Sequence, residues 1–222
     1  MALTEAQHEL IERHLDAVIE MNQKINLTRV LDRESGLVLH VEDSLSCIPE
    51  FNECIEGDYA DLGSGGGFPG VTLSIAMDRP VLLVDSVGKK MRALDEIMDQ
   101  IGLSDQVATY AGRIEDLSVE RRGQFSVLTA RALTSLPSLI ELASPLLRKQ
   151  GRIICFKGSN YEEELDQALK IQGKLGMKLV SQRFFTLGDG SQRSIFVFEK
   201  VGKPKIKLPR RVGMAQNNPL SQ

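Results

Sequence analysis

Asp61-Leu62-Gly63-Ser64-Gly65-Gly66-Gly67-Phe68-Pro69-Gly70 decides how this chain of 222 residues folds. A short apolar run, Tyr59–Leu62, precedes it, and a helical stretch, Phe68–Met77, follows. Glycine is required where the backbone takes positive φ or comes close to a ligand. A helix that starts here points unpaired N–H groups at that ligand. Pro69 suits the first helical turn, where its missing donor costs nothing. Five glycines within eight positions carry a large entropic cost for a turn that holds nothing.

Two cofactor classes use such a loop. Gly65, Gly67 and Gly70 fit the dinucleotide spacing G-x-G-x-x-G. Asp61, Gly63, Gly65 and Gly67 fit D-x-G-x-G-x-G, the first motif of S-adenosylmethionine enzymes. Asp85 ends the next apolar run, Val81-Leu82-Leu83-Val84. A carboxylate there accepts from ribose hydroxyls of either cofactor, or caps the helix beginning near Lys89.

Outward from the loop, short apolar runs alternate with helical periods. Strands are predicted at Tyr59–Leu62, Val81–Asp85, Gln106–Ala111, Phe125–Thr129 and Gly151–Phe156. Helices are predicted at Phe68–Met77, Lys89–Ile101, Ser135–Leu147 and Tyr161–Leu175, with a short turn near Ile114–Leu117. Alternation of this kind implies a mostly parallel α/β sheet with helices on both faces. Leu179–Leu187 and Ile195–Val201 flank Gly188-Asp189-Gly190, which predicts a closing antiparallel hairpin. That ending fits the Rossmann-like sheet of class I methyltransferases better than a nicotinamide-binding sheet. Upstream, Leu10, Ile11, Leu15, Val18 and Ile19 repeat at helical spacing behind a Thr4/Gln7 capping box. A second helix is predicted from Ser35 to Ile48, ending before Pro49. The expected organisation is a helical extension (1–57), a cofactor-binding domain (58–201) and a basic tail (202–222).

Composition narrows the class. No stretch approaches the roughly 20 apolar residues of a membrane span. The N-terminus carries Glu5, Glu9 and Glu12 and does not read as a signal peptide. Cys47, Cys54 and Cys155 form no CxxC pair, and His8, His14 and His40 have no partners at metal-ligand spacing. A reduced, cytoplasmic, monomeric protein without a metal is expected. Net charge is −3, but residues 200–222 hold six cations and no acid, leaving −9 on the rest. An acidic body with a basic tail points to a polyanionic partner.

Taken together, Asp61 to Gly70, Val84-Asp85-Ser86-Val87-Gly88-Lys89-Lys90, Gly112-Arg113-Ile114-Glu115 and Thr129-Ala130-Arg131-Ala132 resemble the glucose-inhibited division protein B family. Asn26-Leu27-Thr28, His40-Val41-Glu42-Asp43-Ser44, Phe156-Lys157-Gly158 and Pro209-Arg210-Arg211-Val212-Gly213 extend the likeness along most of the chain. These are bacterial enzymes that methylate N7 of a guanine in 16S ribosomal RNA. The resemblance implies S-adenosylmethionine contacts at Gly63, Gly65, Gly67 and Phe68, and a ribose site at Asp85 and Ser86. It implies adenine contacts at Ile114 and Glu115, through the Glu115 carboxylate or the backbone, with Arg131 near the methyl-transfer end. The product would be S-adenosylhomocysteine.

The chemistry implied is direct displacement by guanine N7, which has a free lone pair and no proton to remove, so no general base is required. Arg131, just past the fourth strand, is the candidate catalytic residue, with a positioning role. Lys89, Lys90, Arg92, Lys157, Arg210 and Arg211 are candidate phosphate contacts on the RNA or small subunit. The tail, far in sequence from the glycine loop, is expected to act on RNA without touching the cofactor. A nicotinamide-dependent oxidoreductase and a non-catalytic RNA-binding protein with this fold are the competing readings.

Overall fold

The computed structural model describes residues 3–220. Seven strands form one sheet in the order β3-β2-β1-β4-β5-β7-β6. They are β1 (Asp58–Leu62), β2 (Val81–Asp85), β3 (Val107–Ala111), β4 (Phe125–Arg131), β5 (Leu147–Lys157), β6 (Met177–Thr186) and β7 (Gln192–Lys200). β1 to β5 pair parallel, and β7 lies antiparallel between β5 and β6. The Leu187–Ser191 turn closes that hairpin, with Leu187 N–H donating to Ser191 C=O at 3.0 Å. The mostly parallel sheet with a terminal antiparallel hairpin is thus as the sequence predicts.

β1 and β4 lie inside the sheet with both faces covered, so every residue of the two strands except Asp58 and Arg131 is buried. Alternate residues sort into two cores. Tyr59, Leu83, Val127 and Ile154 face one layer, with α1 (Glu5–Asn22), α5 (Gly70–Met77) and α6 (Gly88–Ile101). Ala60, Leu62, Val84 and Leu128 face the other, with α7 (Ile114–Glu120), α8 (Leu136–Ala143) and α9 (Glu162–Ile171). α1 starts on its predicted capping box: Gln7 N–H donates to Thr4 Oγ1 at 3.2 Å, and Thr4 N–H to Gln7 Oε1 at 2.9 Å.

Several predicted elements change: the helix expected over Ser135–Leu147 ends at Ala143, and the turn near Ile114–Leu117 is the helix α7. The single helix expected over Ser35–Ile48 is instead α2 (Arg33–Gly36), a π-helical segment (Leu37–Glu42) and α3 (Asp43–Leu45). Pro49 does not stop a helix but sits in the first turn of α4 (Ile48–Asn52), where no N–H is needed. β5 begins at Leu147 rather than Gly151: Leu147 pairs with Phe125 and Arg152 with Val127, and residues 148–151 bulge out between them. Gln150 takes φ +66° in this bulge.

His14, on α1, is fully buried beneath the glycine loop and packs on Phe68 with ring centroids 4.5 Å apart. Burial lowers its pKa from 6.5 to about 3. The unfolded chain therefore takes up a proton below pH 6.5 that the folded chain refuses. Stability from neutral His14 is complete above pH 6.5 and declines as pH falls towards 3. Asp61, whose pKa is raised to about 6, contributes the opposite slope in part of this range. Urea unfolding of a His14→Leu variant between pH 6.5 and 4.5 should therefore show a shallower acid loss than wild type, by about 1.4 kcal/mol per pH unit. Parallel curves for the two proteins would show that His14 is protonated equally in both states.

Candidate active site

The glycine loop leaves the C-terminal end of β1 and is fastened to β2. Gly63 and Ser64 N–H both donate to Val84 C=O, at 2.7 and 3.1 Å, and Val84 N–H donates to Ser64 Oγ at 3.0 Å. Asp61, 1% exposed, accepts from Gly70 N–H at 3.3 Å and from Thr129 Oγ1 at 2.6 Å, so one carboxylate ties β1 to α5 and β4. Gly63, Gly65 and Gly67 have φ of +73°, +54° and +88°. A Cβ on Gly67 would stand 3.0 Å from His14 Nε2, whereas Gly65 faces nothing nearer than the Leu27 carbonyl at 3.5 Å. The demand for glycine at Gly65 is thus one of backbone conformation and open approach, and at Gly67 also one of space.

A cleft of about 1030 Å³ opens over this loop. Gly63, Gly65, Phe68, Asp85 and Arg131 all line it, as do Lys89, Lys90 and Lys157. A narrower apolar slot adjoins it across Gly63, Asp85 and Leu133, and reaches Ser86, Ile114 and Glu115. An apolar slot beside a carboxylate and a glycine-lined opening suits a nucleoside extended towards a polar group. Asp85 accepts from Gly65 N–H (3.2 Å) through one oxygen and from Val87 N–H (2.9 Å) through the other. It does not cap α6, whose N-cap is Val87, and it keeps further lone pairs open to the cleft.

Arg131 is the last residue of β4, and its guanidinium is held by the N-terminal layer. It donates to Leu39 C=O at 2.9 Å, to Asp43 Oδ2 at 2.9 Å and to His40 Nδ1 at 3.0 Å. Arginine has no acceptor, so His40 Nδ1 must accept, and the proton of neutral His40 lies on Nε2 and is donated to Thr28 Oγ1 at 2.7 Å. Burial and the Arg131 charge agree with this, lowering the His40 pKa to about 4. The His40 ring also stacks on Phe68, centroids 4.5 Å apart and 12° from parallel. Asp43 is 2% exposed and lies between Arg131 and Arg193 Nε, the latter at 3.4 Å. The π-helical segment presents the Leu39 carbonyl and the His40 ring together to Arg131.

Sequence reading did not assign roles to His40, Asp43, Arg193 or Leu133. His40 and Asp43 are three apart, one helical face, and that spacing is the signal that could have found them. Arg193 and Leu133 give no local signal.

The candidate phosphate contacts differ in how far the fold leaves them free. Arg210 is not free for phosphate: it forms a two-pronged ion pair with the buried Glu141, both contacts at 2.7 Å. Lys157 Nζ lines the cleft but is paired with Glu164 at 2.7 Å and donates to Thr134 C=O at 2.7 Å. Arg92 is exposed on α6 beyond the residues lining the cleft. Arg211 and Lys89 are exposed, and Lys90 is half-buried. The Glu115 carboxylate accepts at Oε1 from Gly213 N–H of the tail at 2.7 Å, so it faces the chain's own C-terminal segment. The tail, distant in sequence, therefore borders the slot beside the cleft.

A family model described as rRNA small subunit methyltransferase G (GidB) matches residues 7–195. The chain belongs to this family. Similar proteins of the methyltransferase G family include the ribosomal RNA small subunit methyltransferase G of Streptococcus sanguinis, 33% identical over 98% of this chain and 93% of the relative. That of Alkaliphilus metalliredigens is 35% identical over 92% of this chain and 87% of the relative. Among solved structures, an O-methyltransferase from Bacillus cereus in complex with SAH superposes with a TM-score of 0.59, at 14% identity, over 84% of this chain and 90% of that one. The fold is that of class I methyltransferases, and the chain is a methyltransferase rather than a nicotinamide enzyme or a bare RNA-binding module.

If Asp85 holds the ribose of a nucleoside cofactor, Asp85→Asn should weaken S-adenosylmethionine and S-adenosylhomocysteine alike, by about 1–3 kcal/mol in calorimetric titration. A loss confined to one ligand would mean that Asp85 senses the sulfur end instead.

Proposed function

We propose that this protein transfers a methyl group from S-adenosylmethionine to N7 of a guanine in 16S ribosomal RNA, acting in the cytoplasm on the RNA or on the small subunit. The observation that carries the reading is the placement of Arg131 at the end of β4, in one cleft with Gly65, Phe68 and Asp85. When bound, the cofactor supplies a methyl group on a positively charged sulfur. Gly63, Gly65 and Phe68 would form its floor, with Gly67 shaping the loop from beneath, Asp85 and Ser86 would take the ribose, and Ile114 and Glu115 would border the adenine. The family to which the chain belongs and its resemblance in Asp-Ser-x-Gly-Lys and Ala-Arg-Ala support the choice of substrate.

Arg131 would orient the guanine. Three of its five N–H donors are engaged by Leu39, Asp43 and His40, which fixes the plane of the guanidinium. The remaining donors match an acceptor such as guanine O6 or a neighbouring phosphate. His40, held neutral, adds no charge beside the cationic sulfur. Since N7 carries no proton, the chain's work is alignment and electrostatics rather than proton transfer. Lys89, Lys90 and Arg211 would meet phosphates around the target base.

Deletion of the gene should remove one 7-methylguanosine from 16S rRNA, read by mass spectrometry of nuclease fragments. Wild-type protein should restore it, and Arg131→Ala should restore little. In single-turnover assays at saturating RNA, Arg131→Ala should slow transfer by two orders of magnitude or so while RNA affinity changes little. Unchanged rRNA in the deletion strain would reject the substrate; loss of RNA affinity alone would make Arg131 a phosphate contact.

The surface cations Lys89, Lys90 and Arg211, unpaired among the described residues, carry a separate expectation. Replacing Lys89, Lys90 and Arg211 with Gln should flatten the salt dependence of RNA binding by about 0.7–0.9 for each phosphate no longer neutralised. An unaltered slope would remove these three from the RNA surface.

A further inference from the structure

We infer that the C-terminal segment is a wall of the cofactor site, and that Gln216 reads the amino edge of the adenine. The inference rests on the reading of the cleft as an S-adenosylmethionine site. Gln216 lines the same slot as Asp85 and Ile114, with the apolar side chains of Leu133 and Leu142 beside it. It belongs to α10 (Met214–Asn217), 131 positions from Asp85 along the chain, and only the folding of the tail brings it there.

The segment is fastened on both sides of Gln216. Arg210 grips Glu141, which is 2% exposed, and Gly213 N–H donates to Glu115 at 2.7 Å. Ser138 Oγ donates to Ala215 C=O at 2.6 Å, and Ala215 itself is buried. Arg210 also donates to Asn218 C=O at 3.0 Å. Two buried carboxylates and a buried hydroxyl are thus occupied in holding this segment against α7 and α8. A tail that only reached for RNA would require none of them.

The shape and polarity of the slot define the chemistry of its ligand. Apolar walls accept a flat heterocycle, and the ribose carboxylate at Asp85 fixes which end enters. Glu115 is drawn by one oxygen to the tail, while Gln216 is an exposed residue lining the slot. A carboxamide offers an acceptor and a donor side by side, the complement of an adenine amino group next to a ring nitrogen. Gln216 is therefore a specificity-determining residue for the cofactor, and the basic tail that carries it links RNA contact to cofactor binding in one segment.

The test is calorimetric titration of the full-length protein with S-adenosylhomocysteine and with its inosine analogue, in which oxygen replaces the amino group. Wild type should prefer S-adenosylhomocysteine. Gln216→Ala should bind it about tenfold more weakly and should lose most of that preference, with the thermal midpoint of the free protein and RNA affinity unchanged. Asp85→Asn serves as the control for the cleft. If Asp85→Asn weakens binding while Gln216→Ala retains both wild-type affinity and wild-type discrimination, the role of Gln216 is overturned and the cofactor reading stands. If wild type binds neither ligand, the cofactor reading itself fails and this inference with it.

Discussion

A single buried carboxylate organises the cofactor end of this protein. Asp61 closes β1, and its two oxygens hold the N–H of Gly70 and the hydroxyl of Thr129. Those contacts fix where α5 begins and how β4 stands against β1, and the glycine loop has to span what lies between. Burial raises the Asp61 pKa to about 6, partly countered by the Thr129 hydroxyl, the Arg131 charge, Ser64 and Gly70. An unpaired carboxylate in that position would be costly, so the surrounding donors are a condition of the fold as much as a product of it.

The same strand ends carry the residue proposed to align the substrate. β4 leads from Thr129, which hydrogen-bonds Asp61, to Arg131, which meets the N-terminal layer two residues later. Helices upstream of the sheet are thereby made part of the site. α1 supplies His14 beneath the loop, and the π-helical segment supplies Leu39 and His40 around the guanidinium. His14 and His40 both pack against Phe68 and both are kept neutral by burial. The layer that looks like an extension in sequence is the support on which Arg131 and Phe68 rest.

What could be read from sequence follows the range of the forces involved. The glycine loop, Asp85 and the strand-end position of Arg131 were legible because backbone conformation and strand order dictate them locally. The hairpin was legible from Gly188-Asp189-Gly190 for the same reason. The π-helical segment was not, because a helical period gives no mark of one extra residue in a turn. Pro49 was misread because a proline serves equally as a stop and as an opening turn. Arg210 and the Glu115 carboxylate take partners, Glu141 and Gly213, that lie 69 and 98 positions away and leave no local mark in the sequence. A charge count describes the tail as a basic segment but cannot see that two buried acids hold it to α7 and α8.

The cleft is proposed to place S-adenosylmethionine against N7 of a guanine. The decisive experiment combines purified protein, cofactor labelled on the methyl group, and small subunits or 16S rRNA lacking the modification. Label is expected in the RNA at a single guanine, with the strand scission that 7-methylguanosine undergoes after borohydride and aniline. Label on another atom or base, or none while the protein still binds the cofactor, would contradict the proposal.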